Sequence, residues 1–203
     1  MTRAAIFDRD GTIIDVVRDE ETGAVTVAFH PSHVRLLPGV VTGMRALQDA
    51  GYALAIATNQ PGPAKGQFSA DAVRRTNDAV VARLADEGVR VASVEVCMHH
   101  PEGGPGGDPL LVGPCDCRKP RPGMLNTLLS RLGAAPAASW MVGDSAGDIE
   151  AGRAASMKAA LVFAPTRCEL CPLRSGPHGL GPDAHGATVA EVASAILRSD
   201  RLG

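Results

Sequence analysis

The chain has 203 residues, 45% of them apolar, and a formal net charge of −2. That is enough apolar content to bury one good core, so a single domain spanning residues 1–203 is expected. Basic and acidic residues are interspersed, with one Trp and one Tyr, so neither the basic stripe nor the aromatic ladder of a nucleic-acid surface is present. No apolar stretch is long enough for a membrane span, and the N-terminus runs straight into a strand pattern without a charged n-region or apolar h-region. The chain therefore reads as a cytoplasmic protein, which turns its five cysteines toward metal rather than disulfides.

Short apolar runs alternate with helical patterns along the chain. Ala4–Phe7, Ala53–Thr58, Ser93–Cys97, Ser139–Val142 and Ala159–Phe163 read as strands. Val40–Ala50, Ser69–Glu87, Met124–Leu132, Ile149–Ala155 and Val189–Leu197 read as helices. In Ser69–Glu87 the period turns Ala72, Val73, Thr76, Val80 and Leu84 inward and leaves Asp71, Arg74, Arg75, Asp78 and Arg83 in water. The stretches His100–Pro114 and Ala164–Gly186, rich in Gly and Pro, read as loops, and no separate cap domain is expected. Alternation of this kind predicts an α/β fold in which helices cover both faces of a parallel sheet, with ligands at the carboxyl ends of the strands.

Chemistry-bearing residues sit at those ends. Asp8 and Asp10, in Phe7-Asp8-Arg9-Asp10-Gly11-Thr12, follow the first strand two residues apart and so project to the same side. Thr58-Asn59-Gln60 closes the second predicted strand, Arg118-Lys119-Pro120 supplies fixed positive charge, and Gly143-Asp144-Ser145-Ala146-Gly147-Asp148 adds carboxylates. Asp148, near a helix start, suits an N-cap role. The pattern fits phosphoryl transfer with Mg2+, a hard cation that prefers oxygen ligands. Asp8 would attack to form an aspartyl phosphate. Asp10 would protonate the departing alkoxide and then deprotonate the hydrolytic water. Thr58 and Lys119 would hold the transferring group, and Asp8, Asp10 and Asp144 are the expected magnesium ligands.

In order and kind, these segments resemble the four motifs of the haloacid dehalogenase superfamily, most of whose members are magnesium-dependent phosphatases with a Rossmann-like core. The matching segments run from residue 8 to about residue 152.

A second constellation stands apart from the carboxylates. Cys97-Met98-His99-His100 and Cys115-Asp116-Cys117 form two knuckles, and Cys97, His99, Cys115 and Cys117 make a set suited to structural, tetrahedral Zn2+. His100 is the competing nitrogen donor. The zinc-binding loop of residues 97–119 would pin the segment that carries Arg118 and Lys119. Cys168 and Cys171, with His178 and His185 beyond them, offer a second and looser metal-binding pattern.

With this knuckle and the segment Thr58-Asn59-Gln60-Pro61-Gly62-Pro63-Ala64-Lys65-Gly66-Gln67-Phe68, the chain resembles the D-glycero-D-manno-heptose-1,7-bisphosphate 7-phosphatase family, a relative of the histidinol phosphatases. The resemblance implies hydrolysis of the C7 phosphate in nucleotide-activated heptose synthesis. It also implies substrate contacts from Arg9, Asn59, Gln60 and Arg118, with Val16–Asp19 lining the entrance. A monomer acting on a small sugar bisphosphate, without nucleic-acid or membrane partners, is expected. Ser145 departs from the Lys that those enzymes often carry after the fourth-motif Asp, and the anomer accepted at C1 is left open. The alternatives are a histidinol-phosphate phosphatase and a non-enzymatic phosphoaspartate receiver or zinc-stabilised module. Against the receiver stands Asp10, since receivers lack a second carboxylate two residues after the phosphorylated one.

Overall fold

A computed structural model describes residues 2–18, 21, 23–163 and 181–202. Its centre is a six-stranded parallel sheet built from β1 (Arg3–Phe7), β4 (Tyr52–Asn59), β5 (Val91–Cys97), β6 (Trp140–Gly143), β7 (Lys158–Val162) and β8 (Ala184–Gly186). The strand order is β5-β4-β1-β6-β7-β8, so the chain starts in the middle and winds outward in both directions. A two-stranded antiparallel hairpin, β2 (Val17–Arg18) with β3 (Val25–Thr26), stands outside the sheet.

The period of two along each strand divides its side chains between two cores. Ala5, Phe7, Leu54, Ile56, Val142 and Val162 face α1 (Val40–Asp49), α3 (Ala70–Asp86) and α6 (Val189–Leu202). Ala4, Ile6, Ala55, Ala57 and Met141 face α4 (Gly123–Leu132) and α5 (Ala146–Ala154). Both faces of the sheet are therefore covered, which is why its strands read as near-continuous apolar runs. The loop after β5 carries a short 3-10 turn, Pro109–Leu111, and lies against α2 (Gly62–Lys65), where the N–H of Asp108 donates to the Pro63 carbonyl at 3.0 Å.

The sequence reading and the structure agree on the first five strands of the sheet in chain order and differ elsewhere. Within the stretch Ala164–Gly186, read as a loop, Ala184–Gly186 forms β8; three residues at a sheet edge are too short for a period to register. Residues 164–180 lie outside the described residues, and with them Cys168, Cys171 and His178 of the second metal pattern. His185 is exposed within β8. The helix read from Ile149 begins at Ala146, because Ser145 and Asp148 form a capping box ahead of it. The last helix runs past Leu197 to Leu202. Among the described residues no helix is long and apolar enough to cross a membrane.

Candidate active site

The three central strands β4, β1 and β6 end side by side, and the residues that follow or close them meet in one cavity of about 270 Å³. Asp8, Asp10, Thr58, Asn59, Lys119, Asp144 and Asp148 line it, with Val27, Ser145 and Gly147. Asp8 directly follows β1 and continues its pairing, its N–H donating to the Val142 carbonyl at 2.8 Å. Two glycines let the carboxylates close in. A Cβ on Gly11, whose φ is +86°, would stand 2.2 Å from Asp144 Oδ2, and one on Gly143 would stand 2.3 Å from the Asp148 carboxyl carbon.

Lys119 is the electrostatic pivot. Its ammonium lies 2.6 Å from Asp8 Oδ1 and 2.6 Å from Asp148 Oδ1, and donates to the Ala57 carbonyl at 2.7 Å. Burial disfavours its charge, but Asp148 and Asp8 overcome this and hold it protonated well above the usual lysine range. Asn59 fixes the backbone that carries this lysine: its amide donates to the Lys119 carbonyl at 3.0 Å and accepts the Lys119 N–H at 3.1 Å. Burial pushes the Asp8 carboxyl up to about 8, against the pull of Lys119, with Asp148, Asp144 and Asp10 adding to the rise. Asp144 is pushed up to about 6 by burial and by Asp148.

Oxygens of Asp8, Asp144 and Asp148 all lie within 4.8 Å of one another. Three carboxylates, those of Asp8 and Asp148 buried and that of Asp144 half-buried, leave an excess of two negative charges over one ammonium when all are ionised, and this suits a divalent, oxygen-seeking cation such as Mg2+. Asp148 is already committed to Lys119 and, through Oδ2, to the N–H and hydroxyl of Ser145. Asp8 and Asp144 are the better placed to hold the metal. Asp10, expected as a further magnesium ligand, lines the same cavity, with its carboxylate beside rather than within this cluster of three. It accepts from Arg9 Nε and Nη2 at 2.9 and 3.2 Å, from Gln60 Nε2 at 2.7 Å and from the Ala28 N–H at 2.8 Å.

Two of the residues expected to contact substrate, Arg9 and Gln60, take part in those contacts. The side chains of Arg9 and Gln60 are fully buried and bind protein groups. Gln60 Nε2 donates to Thr58 Oγ1 at 2.8 Å as well, so the Thr58 hydroxyl acts as acceptor there and keeps its own hydrogen for the cavity. Val16 and Arg118 are not among the lining residues, and Asp19 lies outside the described residues. Arg118, half-buried, donates to the His99 carbonyl at 3.4 Å. Sequence reasoning missed Val27, which follows the small hairpin, and left Asp148, read within the fourth motif and as a helix cap, out of the expected site residues.

The sulfur–nitrogen set also assembles. Cys97 Sγ lies 3.0 Å from Cys117 Sγ, 3.7 Å from Cys115 Sγ and 3.8 Å from His99 Nδ1, with Cys117 Sγ 3.3 Å from the same nitrogen. A tetrahedral zinc with Zn–S bonds of about 2.3 Å has sulfur–sulfur edges of roughly 3.8 Å, so small outward shifts would admit the ion. Between the two candidate histidines the geometry favours His99. His100 Nδ1 instead accepts the N–H groups of Glu102 and Gly103 at 3.3 and 3.0 Å. Burial pushes the Cys97 thiol up, whereas Cys115 sits below its usual value because, against burial, the Arg118 N–H favours its thiolate.

A parallel sheet with paired aspartates after its central strand, and a lysine reaching back to the first of them, is the arrangement of the haloacid dehalogenase hydrolases. A family model for HAD-hydrolase-like proteins matches residues 116–164. The chain is 35% identical over 158 residues to the D-glycero-beta-D-manno-heptose-1,7-bisphosphate 7-phosphatase of Pasteurella multocida, covering 78% of this chain and 79% of the relative. It is 38% identical over 154 residues to the protein of that name from Rhodopseudomonas palustris, covering 76% and 79%. The crystal structure of D,D-heptose 1,7-bisphosphate phosphatase from B. bronchiseptica, complexed with magnesium and phosphate, superposes with a TM-score of 0.76 at 28% identity, over 98% of this chain and 99% of that one. The chain belongs to the D-glycero-beta-D-manno-heptose-1,7-bisphosphate 7-phosphatase family.

Proposed function

We propose that the protein hydrolyses the C7 phosphate of D-glycero-beta-D-manno-heptose 1,7-bisphosphate with Mg2+ as cofactor, working in the cytoplasm as a single-domain monomer with structural Zn2+. The observation that carries the reading is the convergence of Asp8, Asp10, Thr58 and Lys119 on one cavity, in a chain whose relatives bear that enzyme's name. Those names support the beta anomer, which the sequence leaves open.

The residues divide the work by charge and reach. Magnesium, held by Asp8 and Asp144, would offset the repulsion between an aspartate nucleophile and a phosphate dianion. Lys119 adds a fixed positive charge beside Asp8, and the Thr58 hydroxyl supplies a donor for a phosphoryl oxygen. Asp8 attacks phosphorus, the bond to the C7 oxygen breaks, and Asp10 gives that oxygen its proton. Asp10 then takes a proton from the water that hydrolyses the aspartyl phosphate. With Arg118 outside the cavity lining, recognition of the far phosphate by this residue stays part of the proposal, supported by its place between the zinc cluster and Lys119.

Phosphate release in Mg2+, compared among the two anomers of heptose 1,7-bisphosphate and histidinol phosphate, tests the reading. The expected result is a kcat/KM for the beta anomer in the range of roughly 10⁴–10⁸ M⁻¹s⁻¹ common to enzymes. A clear preference for histidinol phosphate would overturn the substrate and leave the Asp8 chemistry standing.

A further inference from the structure

Helix α3 buries an asparagine where its period calls for an apolar residue. Asn77 lies beside Val73, Thr76, Val80 and Leu84 on the inward face and is 8% exposed. Its Oδ1 accepts from Arg9 Nη1 at 2.6 Å, while Arg9 Nη2 donates to the Ala28 carbonyl at 2.6 Å. The remaining edge of the guanidinium, Nε with Nη2, forks onto the two oxygens of Asp10. Each nitrogen of a wholly buried guanidinium therefore has a partner, and Asp10 is the one of those partners that lines the cavity.

We propose that Asn77 is a positioning residue for the reaction, fixing the Asp10 carboxylate for proton transfer by clamping the Arg9 guanidinium behind it. A planar fork aims a carboxylate only if the fork itself cannot turn. The Ala28 carbonyl restrains one of its nitrogens and Asn77 the other. Removing the Asn77 oxygen leaves a buried donor unsatisfied, and the guanidinium rotates to find another acceptor. Asp10 follows it, because Gln60 and the Ala28 N–H, its other donors, are neutral and hold it more weakly. The inference rests on the acid–base role of Asp10 proposed above. In the step concerned, the phosphorus–oxygen bond to the leaving group breaks as the bond to Asp8 forms, and the Asp10 proton ends on the leaving oxygen. An alkoxide needs that proton; a p-nitrophenolate does not.

The test is kcat/KM for phosphoryl transfer to the enzyme from leaving groups of graded basicity. Heptose 1,7-bisphosphate, phenyl phosphate and p-nitrophenyl phosphate are compared in wild type, Asn77→Ala and Asn77→Leu, the last filling the volume without an acceptor. The expected loss is about tenfold or more on the heptose ester, out of the 10²–10⁴ that general acid catalysis contributes, and within about twofold on p-nitrophenyl phosphate. Asn77→Asp, which keeps an acceptor oxygen at the same reach, restores most of the loss. Equal losses on all substrates, or none, would overturn the proposal. If wild type cleaves the aryl esters but not the heptose ester, the substrate assignment fails instead, and the phenyl against p-nitrophenyl ratio still decides the role of Asn77.

Discussion

The ammonium of Lys119 lies 2.6 Å from the carboxylate of Asp8, the two side chains only 4% and 10% exposed. The pair joins residues 111 positions apart in sequence, and the Asn59 amide holds the lysine's backbone in place on the far side. One cation facing three clustered carboxylates cannot neutralise them all. The site is built to be completed by further positive charge.

Replacing that ammonium with an apolar chain of similar length, Lys119→Met, is expected to lower kcat by about 10²–10³, the usual effect of removing a group that stabilises charge in the transition state. It also strands Asp8 and Asp148, at up to about 3–5 kcal/mol for breaking a buried pair. Steady-state kinetics with thermal melts in Mg2+ check this; near-normal kcat would remove Lys119 from the chemistry.

The aspartates make metal binding depend on pH. Asp8 and Asp144 are both shifted upward, to about 8 and about 6, so the metal-free fold holds protons that the unfolded chain releases. The contribution of these groups to stability is therefore full at low pH and is lost as pH rises through about 6 and then about 8. Magnesium held by Asp8 and Asp144 would displace those protons and relieve the repulsion. Its stabilising shift of Tm is expected to grow between those two pH values, with protons released on titration. A shift independent of pH would place the ion elsewhere.

The sulfur cluster gives a separate, metal-specific expectation. Cys115→Ser is expected to lose the bound zinc, as read by elemental analysis, and to loosen the segment that leads to Lys119, as read by hydrogen exchange over residues 97–119. Turnover falls as a consequence of the displaced lysine. Unchanged zinc content would refute the ligand set of Cys97, His99, Cys115 and Cys117. His100→Ala is expected to keep the zinc, since its Nδ1 faces backbone N–H groups.

How much of this was legible in the chain depends on the range of the interaction. Asp8, Thr58 and Asp144 were readable as one site because parallel strands deliver their carboxyl ends to one edge, whatever the details of packing. The cysteine knuckles were readable from local spacing. The partners of Arg9 were not: it stands between two aspartates in sequence, and only the fold brings Asn77, 68 positions away, and Ala28 to its other edges. Asp148 shows the same ambiguity, since a helix cap and a partner for Lys119 are one and the same carboxylate.

The central claim is that Asp8 carries the phosphoryl group between substrate and water. Acid quenching during turnover, followed by mass spectrometry of the peptide containing Asp8, tests it most directly. Wild type is expected to show a small fraction of phosphorylated Asp8. Asp10→Asn is expected to accumulate it when charged with p-nitrophenyl phosphate, whose release needs no acid, because no base remains to activate the hydrolytic water. Asp8→Asn is expected to show none, with its zinc retained and turnover abolished. Full activity in Asp8→Asn, or a phosphoryl group on any other residue, would contradict the account.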